Sequence, residues 1–502
     1  MLCLLAVSMN LSVFLANLSW FLLLVNWVVE GGWRQKFSAF GSRHLLQAFL
    51  VMWGLLLVSI IWSADSICAL HELRCALPLL VVPLVVLTSP PLAARERWIV
   101  VCLYVLAVLV VSLIAMVRYV AMPGLPYRQL VPFVSHIRFS LNVCLVVCIV
   151  MHKLLTALRH VTRRTLFLTA SMALFVLWGL LFLYVQRSYT AAVALLVVLV
   201  VEVYMFRWRI EDRRLRNIVC WGVVAGIAAV VGMVVYYGVE YYYQDNRLAA
   251  SPLPEYTLRG NPYTHQPKGC VENGAPVSNY LCTEELKSQW HRYSSMSLYD
   301  TTATGYTVYP TLVRYLNSKG LTKDSAGLTG LTQQDIRYVE QGIANCVYVE
   351  QSPRRMVYQW LFEWEQYRVY GKLVGSSMGE RIALWINGLG VWAGSPLIGV
   401  GIGDVASESH LRLEATKSQL AGTQKHIHNQ YITFLAAVGL VGIVLMAFFF
   451  GRVRIRRCTE RAPLVVAYIV IVLVSFVSED TLDTLAGILF CTVPIVFFYE
   501  RQ

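Results

Sequence analysis

Charge is what this chain has least of. Only 14% of its 502 residues are charged, with 29 acidic against 42 basic, where a soluble domain carries about 25%. With 57% hydrophobic residues and a mean hydropathy of +0.58, this excludes a soluble enzyme and indicates a polytopic membrane protein. The chain also lacks a P-loop, a dinucleotide fingerprint, a paired Cys-x-x-Cys and a His-Glu-x-x-His. Cytoplasmic ATP chemistry is therefore not expected, nor is a metal or any other cofactor. Its start lacks the basic residues and small-residue cleavage site of a signal peptide, so Met1–Val29 is read as mature protein. The formal charge of +13 does not imply nucleic acid, because the Lys and Arg gather in short loops between apolar runs, as membrane orientation requires. Most of the twelve cysteines lie in apolar segments, where a small buried hydrophobe is the ordinary role.

The long apolar runs are what is present. Met1–Val29 is long enough for one tilted span or two short ones broken near Ser8-Met9-Asn10. Further runs fall near 46–63, 77–89, 98–117, 139–157, 165–185, 190–206, 218–238, 427–450, 463–478 and 484–499. This predicts an all-α membrane protein of 11–12 transmembrane helices with a large, mainly helical outer segment. Basic loops recur at every second gap: Arg34/Lys36/Arg43, Arg95/Arg97, Arg159/Arg163/Arg164, Arg207/Arg209/Arg213/Arg214/Arg216 and Arg452/Arg454/Arg456/Arg457/Arg461. That alternation places these loops inside and the gaps between them outside. The expected organisation is a transmembrane bundle over 1–239, an outer segment over 240–425 and closing transmembrane helices over 426–502. Within the outer segment, Leu331–Tyr370 reads as helical from the spacing of Asp335, Ile336, Val339 and Ile343. Val391–Val405, with Gly399, Gly401 and Gly403, reads as a turn-rich loop. Cys270 and Cys282 enclose a polar loop and could form a disulfide in an oxidising compartment.

Candidate chemistry gathers on the outer side. At Lys425-His426-Ile427-His428-Asn429-Gln430-Tyr431 a polar stretch meets a long apolar helix, read over about Ile432–Phe450. At 100° per residue His428, Leu435, Gly439 and Gly442 lie near one face, a groove in which a lipid tail or another helix could press closely. A helix start attracts phosphate, and a neutral histidine beside it would suit a general base. The plainer reading is an interfacial His and Asn that cap a transmembrane helix. Three outer arginines run against the positive-inside bias. Arg187 lies in the tight turn Gln186-Arg187-Ser188-Tyr189, Arg138 begins a span, and Arg381 precedes the glycine loop. Guanidinium groups can hold a pyrophosphate without a metal; snorkelling, or pairing with an acid such as Glu380, is the alternative. Glu479, Asp480 and Asp483 could hold a cation or act as a base, or simply form a solvated loop with a helix cap.

His428-Asn429, nine residues, Gly439, two residues and Gly442 resemble the motif of bacterial O-antigen ligases, His-[Asn/Ser/Gln]-x9-Gly-x-x-[Gly/Thr/Tyr]. Gln186-Arg187-Ser188 is similar to that family's arginine turn, and Arg381…Trp385…Pro396…Gly399…Gly401 to the stretch before its histidine. The long outer segment, with Tyr315–Leu321, resembles the Bacteroidetes branch and is larger than in enterobacterial ligases. The resemblance implies a metal-independent, inverting glycosyltransferase of the GT-C type in the bacterial inner membrane, its active site facing the periplasm. It would move a glycan from undecaprenyl pyrophosphate to a sugar hydroxyl of lipid A–core. His428 would be the base. Arg187, Arg381 and Arg138 would hold the donor, Asn429 would cap the helix or orient the imidazole, and Gly439 and Gly442 would line a polyprenyl groove. The expected partners are thus the lipid-linked glycan, the lipid A–core acceptor and membrane lipids, with no nucleic acid. An O-antigen polymerase and a protein O-oligosaccharyltransferase are the alternatives within the fold. A polysaccharide transporter is a less favoured one, since it would carry charges deep in its spans, where this chain has almost none.

Overall fold

A computed structural model describes the whole chain except residues 123–124, 126, 159–161, 163–164, 208–211, 250–251, 303, 351, 373–376, 424, 454–461 and 499–502. The basic-loop residues Arg159, Arg163, Arg164, Arg209, Arg454, Arg456, Arg457 and Arg461 fall outside the described residues. The protein is 73% helical with almost no sheet, an all-α polytopic membrane protein. Among the described residues, seven helices are long and apolar enough to cross a membrane: His44–Trp62, Ser66–Thr88, Ala94–Ala121, His136–Ala157, Leu166–Gln186, Arg213–Tyr243 and Gln430–Gly451. Shorter apolar helices cover Leu2–Leu11, Val13–Val29, Tyr189–Met205, Ala462–Ser478 and Leu485–Pro494. The first apolar run divides at Ser12, not at Ser8–Asn10. Extended backbone at Ser12 (φ −164°) ends one helix, and its hydroxyl accepts the Leu15 N–H to cap the next.

The described chain forms two compact units, Met1–Val223 with Leu384–Gln502, and Val224–Ala383. The core of the first is built by helices packed mainly through apolar side chains. Tyr189–Phe206 packs on Ala462–Ser478, His136–Ala157 on Leu166–Gln186, and Gln430–Gly451 on His44–Ser59. Phe139, Leu145, Val146, Ile471 and Leu489 are wholly or almost wholly buried. A Cβ on Gly179 would come within 2.5 Å of the Val147 side chain, so glycine there permits the close approach of two spans.

The second unit has its own core around Trp290, Leu312, Tyr315, Leu316 and Ile336. It carries one antiparallel pair of two-residue strands, Val271–Glu272 and Ala275–Pro276. Fully buried Glu272 is matched by the Arg314 guanidinium at 2.8 and 2.9 Å and by Asn345 at 2.8 Å. A buried carboxylate is tolerable when it is paired and saturated in this way. Leu331–Tyr370, read as helical, is three pieces: Gln333–Glu340, a 3-10 turn Cys346–Val349, and Pro353–Tyr370. Gly342 turns the chain at φ +84°, and Ser352 restarts it by capping the Arg355 N–H with Pro353 at the first helical position. Cys270 and Cys282 do not form the disulfide that their spacing allowed, and both are buried free thiols. Cys270 Sγ accepts a hydrogen bond from Gln366 Nε2 at 3.2 Å, and the Cys282 N–H is given to the Lys323 carbonyl at 2.9 Å. Each cysteine belongs to a different local packing, which sequence proximity does not reveal.

Candidate active site

Asn429 starts the helix Gln430–Gly451. Its side-chain oxygen accepts the Ile432 N–H at 3.2 Å, and its Nδ2 is tied to the Val477 carbonyl at 3.1 Å. His428, one residue earlier, sits in the left-handed region at φ +57°, uncommon for a residue with a Cβ. The Asp480 carboxylate holds this turn. Its Oδ2 accepts the His428 N–H at 2.6 Å, and its Oδ1 accepts the Asn429 N–H at 3.1 Å and the Thr433 hydroxyl at 2.7 Å. Gln430 Oε1 accepts the Leu482 N–H at 2.7 Å, and Trp385 Nε1 donates to the His428 carbonyl at 3.2 Å. The acidic loop that the sequence left open between base, cation site and helix cap therefore acts as an external cap. It places a negative charge at the positive end of a helix. His428 itself is half-buried.

Arg138 reaches the same loop, its guanidinium donating to the Asp480 carbonyl at 3.3 Å. The Arg187 turn is linked to it through Thr190, whose hydroxyl lies 3.0 Å from that of Ser478. Arg187 ends its helix in a left-handed conformation, φ +53°, with its guanidinium 5.7 Å from the Tyr127 ring centre. Its neighbours Gln186 and Ser188 are buried. Gln186 Nε2 is bonded to the Tyr127 carbonyl at 2.9 Å, while Gln186 Oε1 and Ser188 Oγ have no hydrogen-bond partner among the described residues. Asp483 is pushed well above the usual carboxylate range by burial first, then by Asp480 and Glu72, with Arg138 opposing. His426 Nδ1 stands 3.6 Å from Asp483 Oδ2. His426, Asp480 and Asp483 bring one ligand atom each within 4.8 Å of one another, a geometry that could accept a cation. Both Asp480 oxygens already receive N–H or O–H donors, so the trio would have to share them.

The two motif glycines have a backbone role. The helix read as continuous is broken at Gly439, where φ is 62° and ψ −170°. A break leaves carbonyls and N–H groups orphaned, which is costly away from water. The glycine loop after Ser395 fills it. Val400 and Gly401 N–H donate to Ala436 and Ala437 at 2.8 and 3.0 Å, and Leu440 and Val441 N–H donate to Pro396 and Leu397, both at 3.0 Å. A Cβ on Gly439 would lie 2.3 Å from the Leu397 carbonyl oxygen, and one on Gly399 2.5 Å from that of Ala436. The face of Gly439 expected to line a lipid groove is thus occupied by backbone. Gly442 packs against Val438 of its own helix. Asp404 anchors the far end of the loop, accepting the Ala64 and Asp65 N–H groups at 2.5 and 2.9 Å.

The fold therefore joins His428, Asn429, Arg138, Arg187 and the acidic loop in the first unit. Arg381 lies early in the helix Ser377–Gly394 and is grouped with the second. Thr433, Gln430 and Asp404 were not singled out in the sequence. The one signal for Gln430 and Thr433 is their polarity, one and four residues after Asn429 at the mouth of an apolar helix. Residues 357–447 match the profile of a family described as O-antigen ligase. The matched stretch contains the glycine loop, the His428 turn and the break at Gly439. A search of curated proteins returned no match.

Proposed function

We propose that this multi-pass chain, carrying an O-antigen ligase domain over residues 357–447, is an inverting, metal-independent ligase. It transfers a glycan from undecaprenyl pyrophosphate to a sugar hydroxyl of lipid A–core at the periplasmic face of the inner membrane. The observation that carries this reading is the histidine turn clamped by Asp480, inside the matched stretch, with Arg138 bonded to the same loop. A sugar hydroxyl is a poor nucleophile, and His428 takes its proton as the hydroxyl oxygen bonds to the anomeric carbon. Pyrophosphate leaves from the opposite face with the bonding electrons. It is a stable anion and needs no general acid, only cations where negative charge grows. Arg187 and Arg138 supply that charge. Asn429 and Asp480 fix the histidine, and Gly439 and Gly442 shape the helix behind it.

Deleting the gene tests the reaction. A ligase deletion leaves lipopolysaccharide as bare core, with polymerised glycan stranded on undecaprenyl pyrophosphate. Core bearing a single repeat would reassign the chain as a polymerase. Unchanged lipopolysaccharide with loss of glycoproteins would reassign it as a protein-directed transferase.

A further inference from the structure

The helix Pro353–Tyr370 is amphipathic in an unusual sense. Its inner side buries Tyr358 and Glu365, with exposures of 0% and 1%. Its outer side presents Trp360, Trp364 and Tyr367 at 37%, 52% and 45%. At 100° per residue these three fall within an arc of about 60°, and Tyr370, half-exposed, continues their side. A row of large aromatic rings facing water is unfavourable.

The same helix is bolted to the end of a span. Arg354 makes a two-point ion pair with Glu240, at 2.7 and 3.1 Å. The Tyr358 ring meets that of Tyr241 edge-on at 5.1 Å, and the Tyr242 hydroxyl donates to Glu365 at 3.0 Å. Glu240, Tyr241 and Tyr242 close the helix Arg213–Tyr243, which is long and apolar enough to cross a membrane. Tyr236 and Tyr243, near and at its end, are 64% and 82% exposed, the residue type that marks the level of the headgroups. Pro353–Tyr370 is thus fixed to the end of a helix able to span.

We infer that Pro353–Tyr370 is an interfacial helix, seating its Trp360–Trp364–Tyr367 face in the phospholipid headgroup layer at the end of that span. Trp and Tyr suit this layer because the ring body is apolar while the N–H or O–H stays wet. Exposed Lys372, just past the helix end, can reach lipid phosphates on its long stem. A saccharide platform could also use exposed aromatic rings, but it would not require the clamp to the span.

The test uses the full chain in phospholipid nanodiscs, with lipid-linked glycan present. p-Benzoylphenylalanine replaces Trp364, Tyr367 or, on another side of the same helix, Val369. After irradiation, adducts are identified by mass spectrometry. Phospholipid adducts at 364 and 367, roughly fivefold or more above those at 369, are expected from an apolar face lodged among lipids. Equal, low lipid yields at all three positions would place the aromatic face in water and overturn the inference. Adducts carrying glycan in place of lipid would overturn it in favour of a saccharide surface. Neither result depends on transfer activity.

Discussion

At Asp480 one carboxylate receives the N–H groups of His428 and Asn429 and the hydroxyl of Thr433. Each hydrogen bond to a charged acceptor contributes about 1.5–3 kcal/mol, enough together to offset the roughly 1–3 kcal/mol of a left-handed non-glycine residue. Asp480→Ala should lower the melting temperature and cut transfer by about tenfold or more, while Asp480→Asn, which keeps one acceptor oxygen, should be milder. His428→Ala should abolish transfer with near-normal melting; near-normal turnover by the purified variant would remove the base from the mechanism. Asp483 offers a pH test. Its folded-state affinity for a proton is raised by burial, Asp480 and Glu72, so the folded state holds that proton more tightly than the unfolded chain. The resulting stability is complete below the ordinary carboxylate pKa and is lost as pH rises above it. Asp483→Asn keeps the neutral shape, so its melting temperature should fall less between about pH 5 and about pH 8 than that of the parent. Parallel curves would mean that Asp483 is ionised in the folded protein.

On the scale of the element, the broken helix and the glycine loop are one device. Gly439 is in a backbone conformation that L side chains rarely adopt, and a Cβ there would meet the Leu397 peptide. Gly439→Ala should therefore lower the amount of folded protein recovered and its melting temperature. The cost is at least the few kcal/mol of a strained backbone position. Gly442→Ala should be milder, because φ is not positive there and the neighbour is the Val438 side chain. Fluorescence-detected size exclusion and thermal melting in detergent read both, and equal losses would contradict the role assigned to the break. The nine-residue spacing from Asn429 to Gly439 was visible in the sequence as a motif. That Gly439 interrupts the helix was not, because a glycine inside an apolar run is compatible with an ordinary span. Only the docking of the residues after Ser395 supplies the partners that make a break affordable.

For the molecule as a whole, the alternation of basic loops predicts which ends face inward. A cysteine at Leu258, 94% exposed, should react with a membrane-impermeant thiol reagent in cells with a permeabilised outer membrane and the native outer cysteines removed. One at Arg213 should not, and the reverse pattern would invert the topology. The sequence by itself determined the class of this protein. Spans announce themselves because about 20 consecutive apolar residues have few other uses, and the polar stretch before the helix at Asn429 was legible because its composition changes abruptly. The candidate residues His428, Asn429, Arg138 and Arg187 were all readable in this way. Their mutual arrangement was not. Asp480 lies 52 residues from His428, Thr190 lies 288 from Ser478, and Asp404 lies 340 from Ala64, separations that no local pattern encodes. Cys270 and Cys282 failed as a pair for the same reason, since nearness along the chain sets neither distance nor direction. Composition and periodicity act residue by residue against solvent or lipid, so the sequence carries them openly. A carboxylate chooses which backbone N–H groups it will cap only when packing has brought them within 3 Å, and that choice belongs to the tertiary structure alone.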